Sequence, residues 1–474
     1  MTQTAHSLSI GQTLGLQKAA FIAEGAVTAE VRVQRLQQVI DLLVQHKDAL
    51  VAAMGEDFGG RPGVFSLAND VLGSLSSLKH ARDHLRQWMP DSVRPSVKPF
   101  DNFGATAWVR YQPKGVVGII GTWNAPLFTL LSPLACAFAA GNRAILKPSE
   151  IAPKTAALLA ELVVQQFDPQ VLAVVQGGAD VAAEFAAQPF DHLVFTGSTA
   201  VGKLIMAAAA QNLVPVTLEL GGKSPVVIGE SADIANAAER IAVGKSLNSG
   251  QICVAPDTVW VHASKVDALV QALGASYNSL YPQIAGNGDI TPVVNARHFA
   301  RVAGYLEDAK ARGAQVIDTG ASQGADERRL GLHIVLNPPA DSAIAQQEIF
   351  GPAIVVRSFE RVQEAVDAIN AGERPLALYY FGSDVAEQNW VLDHTLSGGV
   401  SINDVTMHPA LEDAPFGGIG ASGMGHYHGH EGFLEFSHAR SVYSAGSHDP
   451  RREWGMLPPY NPQFEQMLQA AVTP

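Results

Sequence analysis

The sequence is short of cysteine and of positive charge. Only Cys136 and Cys253 occur in 474 residues, which excludes a disulfide-stabilised scaffold and is typical of a reducing compartment. The 32 lysines and arginines are outnumbered by 45 aspartates and glutamates, for a net charge of −13. An acidic balance argues against a broad contact with a phosphate backbone. We therefore expect no nucleic-acid partner.

Signals for export and for membrane insertion are also missing. The first sixteen residues contain no basic segment followed by an apolar run. One uncharged segment, 115–142, is long enough to span a bilayer, but Pro126 and Pro133 interrupt it. We predict a buried strand, a turn and a core helix in this segment. The expected protein is soluble and cytoplasmic.

The sequence is typical of a long globular protein in which strands and helices alternate. Hydrophobic residues make up 47% and charged residues 16%, which is typical of a globular protein. The length of 474 residues is enough for two or three domains. Short β-branched runs alternate with helices, which predicts an α/β fold with two parallel sheets. The predicted strands of the first sheet are 115–120, 143–146, 171–175, 192–195 and 215–218. Those of the second are 225–228, 258–261, 315–318, 354–359, 376–381 and 399–402.

Cys253 is the first candidate for chemistry. It follows Asn-Ser-Gly-Gln-Ile at 248–252, a polar loop in which a thiolate would be reachable and hydrogen-bonded. The alternative is a buried cysteine that acts as a small hydrophobe, and the loop alone does not decide between them. Cys136 has only apolar neighbours and is predicted to be an inert core residue.

A dinucleotide site is suggested by a loop, although no G-x-G-x-x-G fingerprint follows any predicted strand. The strand at 192–196 runs into Gly197-Ser198-Thr199-Ala200-Val201-Gly202 and then a helix. Gly197 would let a ligand approach the backbone, and Ser198 or Thr199 could cap the helix. A helix N-terminus at the carboxyl end of a strand favours a pyrophosphate. The alternative is a plain helix start.

Two other polar sites follow predicted strands. Lys147 and Glu150 could clamp ribose hydroxyls, or they could be an ordinary surface pair. Glu219 ends an apolar strand before two glycines, where desolvation would raise its pKa toward that of a general base. The alternative is a rim glutamate paired with Lys223.

These segments occur in an order that resembles the NAD(P)-dependent aldehyde dehydrogenase superfamily, from about residue 20 to 445. The motifs are Trp123-Asn124, Lys147-Pro148-Ser149-Glu150, Gly197-Ser198-Thr199-x-x-Gly202, Glu219-Leu220-Gly221-Gly222-Lys223, Gly250-Gln251-x-Cys253 and Glu348-Ile349-Phe350-Gly351-Pro352. The shorter class 3 branch is suggested by Cys253-Val-Ala-Pro-Asp257, Ala414-Pro-Phe-Gly-Gly418, the 422–429 segment and Leu457-Pro-Pro-Tyr460.

The resemblance implies roles for the candidate residues. Cys253 would add to an aldehyde, Asn124 and the Cys253 backbone N–H would stabilise the alkoxide, and Glu219 would activate water to hydrolyse the thioester. It implies NAD as cofactor with NADP tolerated, and a long-chain aliphatic or aromatic aldehyde as substrate, with coniferyl aldehyde first. The implied cofactor-binding residues are Lys147 and Glu150 at the adenosine ribose, Gly197, Ser198 and Gly202 near the pyrophosphate, Glu348 at the nicotinamide ribose, and Phe350 and Trp123.

The resemblance also implies the architecture. An NAD(P)-binding domain would cover 1–89 and 113–218, a catalytic domain 219–428, a β bridging element 90–112 and 429–446, and a C-terminal tail 447–474. A strand at 433–442 that extends a partner's sheet would make a homodimer.

Alternatives to this function stay open. One is a relative that transfers the acyl group to coenzyme A, and Glu219 argues against it. The other is a catalytically silent, crystallin-like structural protein. His426, His428 and His430 are not expected to bind a metal, because no acidic or cysteine ligand lies close to them in the sequence. A turn or a wall of the substrate pocket is the expectation there.

Overall fold

The computed structural model describes residues 8–319 and 328–472. The ends of the predicted cofactor domain and tail, 1–7 and 473–474, and a stretch of the predicted catalytic domain, 320–327, lie outside the described residues. The helices are α1 Ile10–Glu24, α2 Ala29–Phe58, α3 Gly63–Ser66, α4 Gly73–Trp88, α5 Phe128–Ala139, α6 Pro153–Gln166, α7 Ala179–Ala186, α8 Thr199–Ala210, α9 Ile234–Ser246, α10 Val266–Leu280, α11 Ala296–Ala311, α12 Ala343–Gln346, α13 Val362–Ala371, α14 Val385–His394, α15 Gly429–Glu435 and α16 Pro462–Ala471.

The strands form three sheets. They are β1 Ser92–Arg94, β2 Thr106–Pro113, β3 Val116–Ile120, β4 Arg143–Lys147, β5 Leu172–Val174, β6 His192–Gly197, β7 Val216–Leu220, β8 Pro225–Ile228, β9 Thr258–His262, β10 Gln315–Asp318, β11 His333–Leu336, β12 Ala353–Phe359, β13 Ala377–Phe381, β14 Gly399–Ile402, β15 Gly423–Met424 and β16 Ser437–Ser444.

The first sheet has the strand order β15-β7-β6-β3-β4-β5, and every neighbouring pair is parallel except β15 with β7. The chain runs outward from β3 through β4 to β5, then returns to lay β6 and β7 on the other side of β3. Strand order therefore reverses between β3 and β6, which is where doubly wound sheets bind ligands.

The uncharged segment predicted to be a strand, a turn and a core helix is confirmed as β3 and α5. All five residues of β3 are buried, and so are eleven of the twelve residues of α5. Pro133 lies inside α5 rather than ending it. Among the described residues, no helix is both long enough and apolar enough to span a bilayer.

The second sheet has the order β10-β11-β12-β9-β8-β13-β14 and is parallel apart from the β10–β11 pair. All six strands predicted for it are present. The sequence prediction missed β11, which has three apolar residues after His333 and inserts between two predicted strands. The prediction of an α/β fold with two sheets rich in parallel strands is confirmed.

The third sheet is small and antiparallel, with the order β1-β2-β16. The strand predicted at 433–442 begins later, at Ser437, and this start was wrong. Phe433 lies in α15, and its side chain and that of Phe436 are both fully buried. A spacing of three residues places both rings on one side of a helix, whereas a strand would point them to opposite faces.

Candidate active site

A cavity of about 670 Å³ opens where β3, β6 and β7 end, and we call it the central cavity. This volume lies within the range of small-molecule sites. Eight of the eleven residues selected from the sequence line it: Trp123, Asn124, Gly197, Ser198, Glu219, Cys253, Glu348 and Phe350. Lys147, Glu150 and Gly202 do not line it.

The loop that carries Cys253 is fixed by backbone conformation. After α9 the chain turns through Asn248, Ser249 and Gly250, which have φ values of 50°, 53° and 72°. A Cβ on Gly250 would collide with the carbonyl of Gly351, so only glycine fits this turn. Such left-handed conformations cost free energy in non-glycine residues and are found where function requires them.

Side-chain hydrogen bonds hold the same loop from within. The Gln251 amide donates to the Asn248 carbonyl at 2.9 Å and to the Pro292 carbonyl at 3.1 Å. The Gln251 side-chain oxygen accepts from the backbone N–H of Val294 at 3.0 Å. Gln251 is fully buried, so it acts as a rigid support beneath the half-buried thiol of Cys253.

Asn124 is locked to the loop of the thiol. It follows β3 and is 6% exposed, and its side-chain amide donates to the Gln251 carbonyl at 3.0 Å. In return, the Asn248 amide donates to the Asn124 carbonyl at 3.2 Å. A side-chain amide has two N–H donors, so one N–H of Asn124 is left for a ligand in the cavity.

A buried ion pair anchors the chain just after Asn124, and the sequence prediction did not include it. Arg61 and Asp70 approach to 2.8 Å with both side chains fully buried. The other oxygen of Asp70 accepts from the backbone N–H groups of Leu127 and Phe128, at 3.1 and 3.4 Å. Asp70 therefore fixes the start of α5 and the loop that holds Asn124.

Glu219 and Cys253 interact directly, and each changes the acidity of the other. Burial, partly offset by the neighbouring side chains of Cys253 and Thr196, raises the pKa of Glu219 to about 7. Burial and the neighbouring Glu219 carboxylate raise the pKa of the Cys253 thiol above its ordinary value. The expected perturbation of the Glu219 pKa is thus present. The sequence suggested a reachable, hydrogen-bonded thiolate at Cys253, whereas the structure shows a desolvated thiol that faces a carboxylate and therefore loses its proton less readily.

Glu348 lies on the cofactor side of the central cavity. Its carboxyl packs so closely on Gly221 that a Cβ there would collide with it, and the backbone N–H of Gly222 donates to it. Burial and the neighbouring Asp257 together raise the pKa of Glu348 to about 8. Phe350 has a φ of 45° and its ring contacts Trp123 edge-on, with centroids 5.4 Å apart.

Three charged side chains hold the Glu348–Phe350 segment, and the sequence prediction assigned this role to none of them. Arg301 donates to the carbonyls of Glu348, Ile349 and Phe350, at 3.2, 2.8 and 3.1 Å. Asp257 accepts from the Ile349 N–H at 2.9 Å. Lys223 forms an ion pair with Asp257 and not with Glu219, so the interpretation of Glu219 as a rim residue paired with Lys223 is wrong.

The other predicted cofactor residues lie at the carboxyl ends of neighbouring strands. Lys147 ends β4 with its side chain buried, and its ammonium donates to the exposed Glu150 carboxylate at 3.1 Å. Gly197 ends β6, and Ser198 is the N-cap of α8. A Cβ on Gly202 would collide with Leu220. The structural role of Gly202 is therefore to let α8 pack closely on the sheet.

This arrangement fits a dinucleotide. The Gly197-Ser198 turn leads into a helix N-terminus at the point where strand order reverses, and that combination suits a pyrophosphate. The Lys147–Glu150 pair at the end of β4 offers a donor and an acceptor to a ribose. The Gly221 position leaves room for the Glu348 carboxyl, which can accept hydrogen bonds from a second ribose.

The three alternating histidines play no common role. His428 is 1% exposed, has a φ of 77°, and its Nε2 lies 2.8 Å from the Ser132 hydroxyl. It packs behind the cavity wall, against Phe416, and does not line the cavity. Within the described ranges, no group of three or more His, Cys, Asp or Glu side chains is placed to hold a metal ion.

Comparisons with known proteins agree with this geometry. A profile described as the aldehyde dehydrogenase family matches residues 7–442. The chain is 46% identical, over 100% of its length and 98% of the relative, to a protein of Caulobacter vibrioides named a probable coniferyl aldehyde dehydrogenase. It is 45% identical to the coniferyl aldehyde dehydrogenase of a Pseudomonas species, over 91% of this chain and 90% of that one.

Solved structures give the same result. A substrate-bound AldH of Staphylococcus aureus superposes with a TM-score of 0.91 at 35% identity, over 98% of this chain and 100% of that chain. An indole-3-acetaldehyde dehydrogenase of P. syringae, solved with NAD⁺, superposes with a TM-score of 0.82 at 25% identity, over 92% and 88%.

Proposed function

Since the chain belongs to the aldehyde dehydrogenase family, we propose that it oxidises an aromatic or long-chain aldehyde to the carboxylic acid through an acyl intermediate on Cys253. Coniferyl aldehyde is the first candidate substrate. The observation that carries this proposal is the convergence of one thiol, one carboxyl of raised pKa and one side-chain amide on the same cavity. Each group supplies one requirement of the reaction.

The first step needs a thiolate. Because the pKa of the Cys253 thiol is raised and Glu219 is its hydrogen-bond partner, the proton passes from the thiol to Glu219. The sulfur then adds to the aldehyde carbonyl to give a thiohemiacetal alkoxide. The free N–H of Asn124 and the backbone N–H of Cys253 stabilise the developing negative charge on the oxygen.

The second half of the reaction releases the acid. NAD(P)⁺, when bound, supplies the acceptor for the hydride that the alkoxide loses, and Cys253 is left as a thioester. Glu219 first releases to solvent the proton that it took from the thiol. It then removes a proton from water, the water oxygen attacks the thioester carbonyl, and the Cys253 sulfur leaves as a thiolate. Lys147 and Glu150 would hold one ribose and Glu348 the other, with Gly197 and Ser198 at the pyrophosphate.

The two alternatives have less support. Transfer of the acyl group to coenzyme A does not require a general base for water, whereas Glu219 is buried beside the thiol with a raised pKa. A silent structural protein requires neither the thiol nor the left-handed loop beneath it.

The proposal is tested by screening aliphatic, benzylic and cinnamyl aldehydes for NADH formation, with the product analysed as free acid or acyl-CoA. We expect the free acid, and we expect cinnamyl aldehydes to have the highest kcat/KM. A product that forms only when coenzyme A is present would contradict hydrolysis. A preference for short aliphatic aldehydes would contradict the proposed substrate.

Replacing Asn124 by alanine is expected to lower kcat about 10²–10³-fold, because one donor to the alkoxide is lost. Binding of the aldehyde should change little, so the effect should appear in kcat rather than in KM. Steady-state kinetics measure both. Asn212→Ala is a suitable control, because the Asn212 amide donates to the Ala187 carbonyl on the exposed surface and should leave kcat unchanged.

For the cofactor, we expect a higher kcat/KM with NAD⁺ than with NADP⁺, and measurable activity with both. The Glu150 carboxylate repels a 2′-phosphate, while Lys147 partly offsets the repulsion. Glu150→Gln should shift the ratio of the two kcat/KM values toward NADP⁺. A wild-type enzyme that strongly prefers NADP⁺ would contradict the assignment of Glu150 to the adenosine ribose.

A homodimer is also proposed. Strand β16 is hydrogen-bonded to β2 on one side and is the last strand of its sheet on the other, so its outer edge can pair with a second chain. Sedimentation equilibrium should give twice the monomer mass. A monomer at micromolar concentration would contradict this assembly.

A further inference from the structure

One wall of the central cavity carries large apolar side chains, those of Leu72, Phe128, Ile252 and Phe416. Among them lies one carboxyl, that of Glu412, which is half-buried. No lysine, arginine or histidine of the described residues forms an ion pair with Glu412, and its hydrogen-bond partner is the Ser77 hydroxyl. Burial raises the pKa of Glu412 to about 7.

A second polar group on the same wall has no partner. The Tyr427 hydroxyl is buried and makes no hydrogen bond within the described part of the chain, and Tyr427 lines the cavity. Its ring is held edge-on by Phe416 at 5.7 Å and by His428 at 5.0 Å. A buried hydroxyl without a partner costs free energy, so its position favours a ligand that supplies the missing hydrogen bond.

The Glu412 carboxyl is held in place by a chain of hydrogen bonds. Ser77 contacts Glu412 and also lies 2.9 Å from the Ser132 hydroxyl. Ser132 in turn lies 2.8 Å from Nε2 of His428. Burial lowers the pKa of His428 to about 3, so this chain brings no positive charge toward Glu412. The carboxyl is thus a fixed acceptor that lacks a cation.

We propose that Glu412 and Tyr427 form a subsite for a hydroxyl group at the far end of the substrate, and that the substrate is therefore a hydroxyaryl aldehyde. The phenolic O–H donates to Glu412 and its oxygen accepts from the Tyr427 hydroxyl. This inference rests on the proposed function, since it assumes that the aldehyde carbon sits at Cys253 and that the aryl ring lies between the apolar walls.

A neutral hydroxyl suits the subsite better than a cation. An ammonium group in this cavity would lose its water and would face a single carboxyl. The free-energy cost of burying such a charge is offset only when further hydrogen bonds satisfy the N–H groups. The apolar side chains on either side offer no such acceptors, while they match the faces of an aromatic ring.

The test compares 4-hydroxy-3-methoxycinnamaldehyde with 3,4-dimethoxycinnamaldehyde, in which an O-methyl group replaces the phenolic O–H and removes the donor. For the wild-type enzyme we expect kcat/KM to be at least about tenfold higher for the hydroxylated aldehyde, as for a hydrogen bond to a charged group. In Glu412→Leu the ratio should fall to about one, mainly through a higher KM for the hydroxylated aldehyde. Tyr427→Phe, which changes the packing least, should lower the ratio several-fold.

Asp413→Asn is the matched control. Asp413 is the adjacent acid, but its side chain is 80% exposed and lies 3.3 Å from His80. The ratio in this variant should equal that of the wild type. A shift as large as that in Glu412→Leu would mean that the ratio reports general surface charge, and the subsite would be wrong.

The other outcomes separate the subsite from the function. If wild type oxidises both cinnamyl aldehydes equally well, the proposed function stands and the subsite is wrong. The subsite is also wrong if Glu412→Leu lowers both kcat/KM values by the same factor. It is wrong as well if the wild type prefers a trimethylammonium aldehyde and Glu412→Leu loses that preference. If an aliphatic aldehyde is oxidised and neither cinnamyl aldehyde is, the proposed substrate fails and the subsite fails with it.

Discussion

Replacing Cys253 by alanine is expected to lower kcat for aldehyde-dependent NADH formation by on the order of 10⁶, the loss seen when a covalent nucleophile is removed. Without the sulfur no thiohemiacetal forms, and an aldehyde bound in the cavity has no adjacent alkoxide from which hydride can leave. Rapid-mixing measurements of NADH absorbance should show neither a burst nor a steady state. Mass spectrometry of the wild-type enzyme, quenched during turnover, should show the acyl group on Cys253.

Cys136→Ala provides the matched control, because it removes the other thiol of the chain. Cys136 is 3% exposed, and burial raises its pKa to about 12, which confirms the prediction of a core residue and makes thiolate formation unfavourable. Its loss should cost stability through the cavity it leaves, while kcat should remain near that of the wild type. A Cys253→Ala variant that kept even one per cent of kcat would contradict covalent catalysis.

The parts of the fold that could be predicted from the sequence are those governed by local patterns. Buried parallel strands appear as continuous β-branched runs, which is why β3, β4, β6 and most of the second sheet were placed correctly. The short β11 was missed because a run of three apolar residues, 334–336, is not distinguishable from part of a helix or loop. The start of β16 was misplaced because aromatic residues also occur in short buried helices, as Phe433 does in α15.

The site was predictable to the extent that its residues lie within short motifs. Cys253, Glu219 and Asn124 each stand beside glycines or amides that mark a strand end. Arg301 contacts Glu348 from 47 positions away, and no local pattern marks that contact.

The same holds for the polar groups at the far wall. Glu412 meets Ser77 only because the C-terminal segment folds back on α4. The pKa of the Cys253 thiol is raised by burial and then by the Glu219 carboxylate, 34 positions earlier in the chain. Interactions of this kind depend on the tertiary structure, so the sequence could indicate the reactive groups but not how they alter one another.

Replacing Glu219 by glutamine is the second change with a large expected effect, a fall of about 10²–10⁴-fold in kcat. Glutamine nearly preserves the shape of the buried side chain, but it can accept a proton neither from the Cys253 thiol nor from water. Formation of NADH in a single turnover should slow, because the thiol loses its proton acceptor, and the thioester that forms should persist, because water is not activated. Quenched-flow mass spectrometry and single-turnover absorbance measure these two quantities.

The pH profile identifies the group responsible. Since burial raises the pKa of Glu219 to about 7, its carboxylate form is a minority below pH 7 and dominates above it. The kcat of the wild type should therefore rise about tenfold per pH unit below pH 7 and then level off. Glu219→Gln should lose this acidic limb, whereas Glu239→Gln, at an exposed position of α9, should keep it. An acidic limb that survives in Glu219→Gln would show that another group is the base, and the raised pKa of Glu219 would then reflect only its burial.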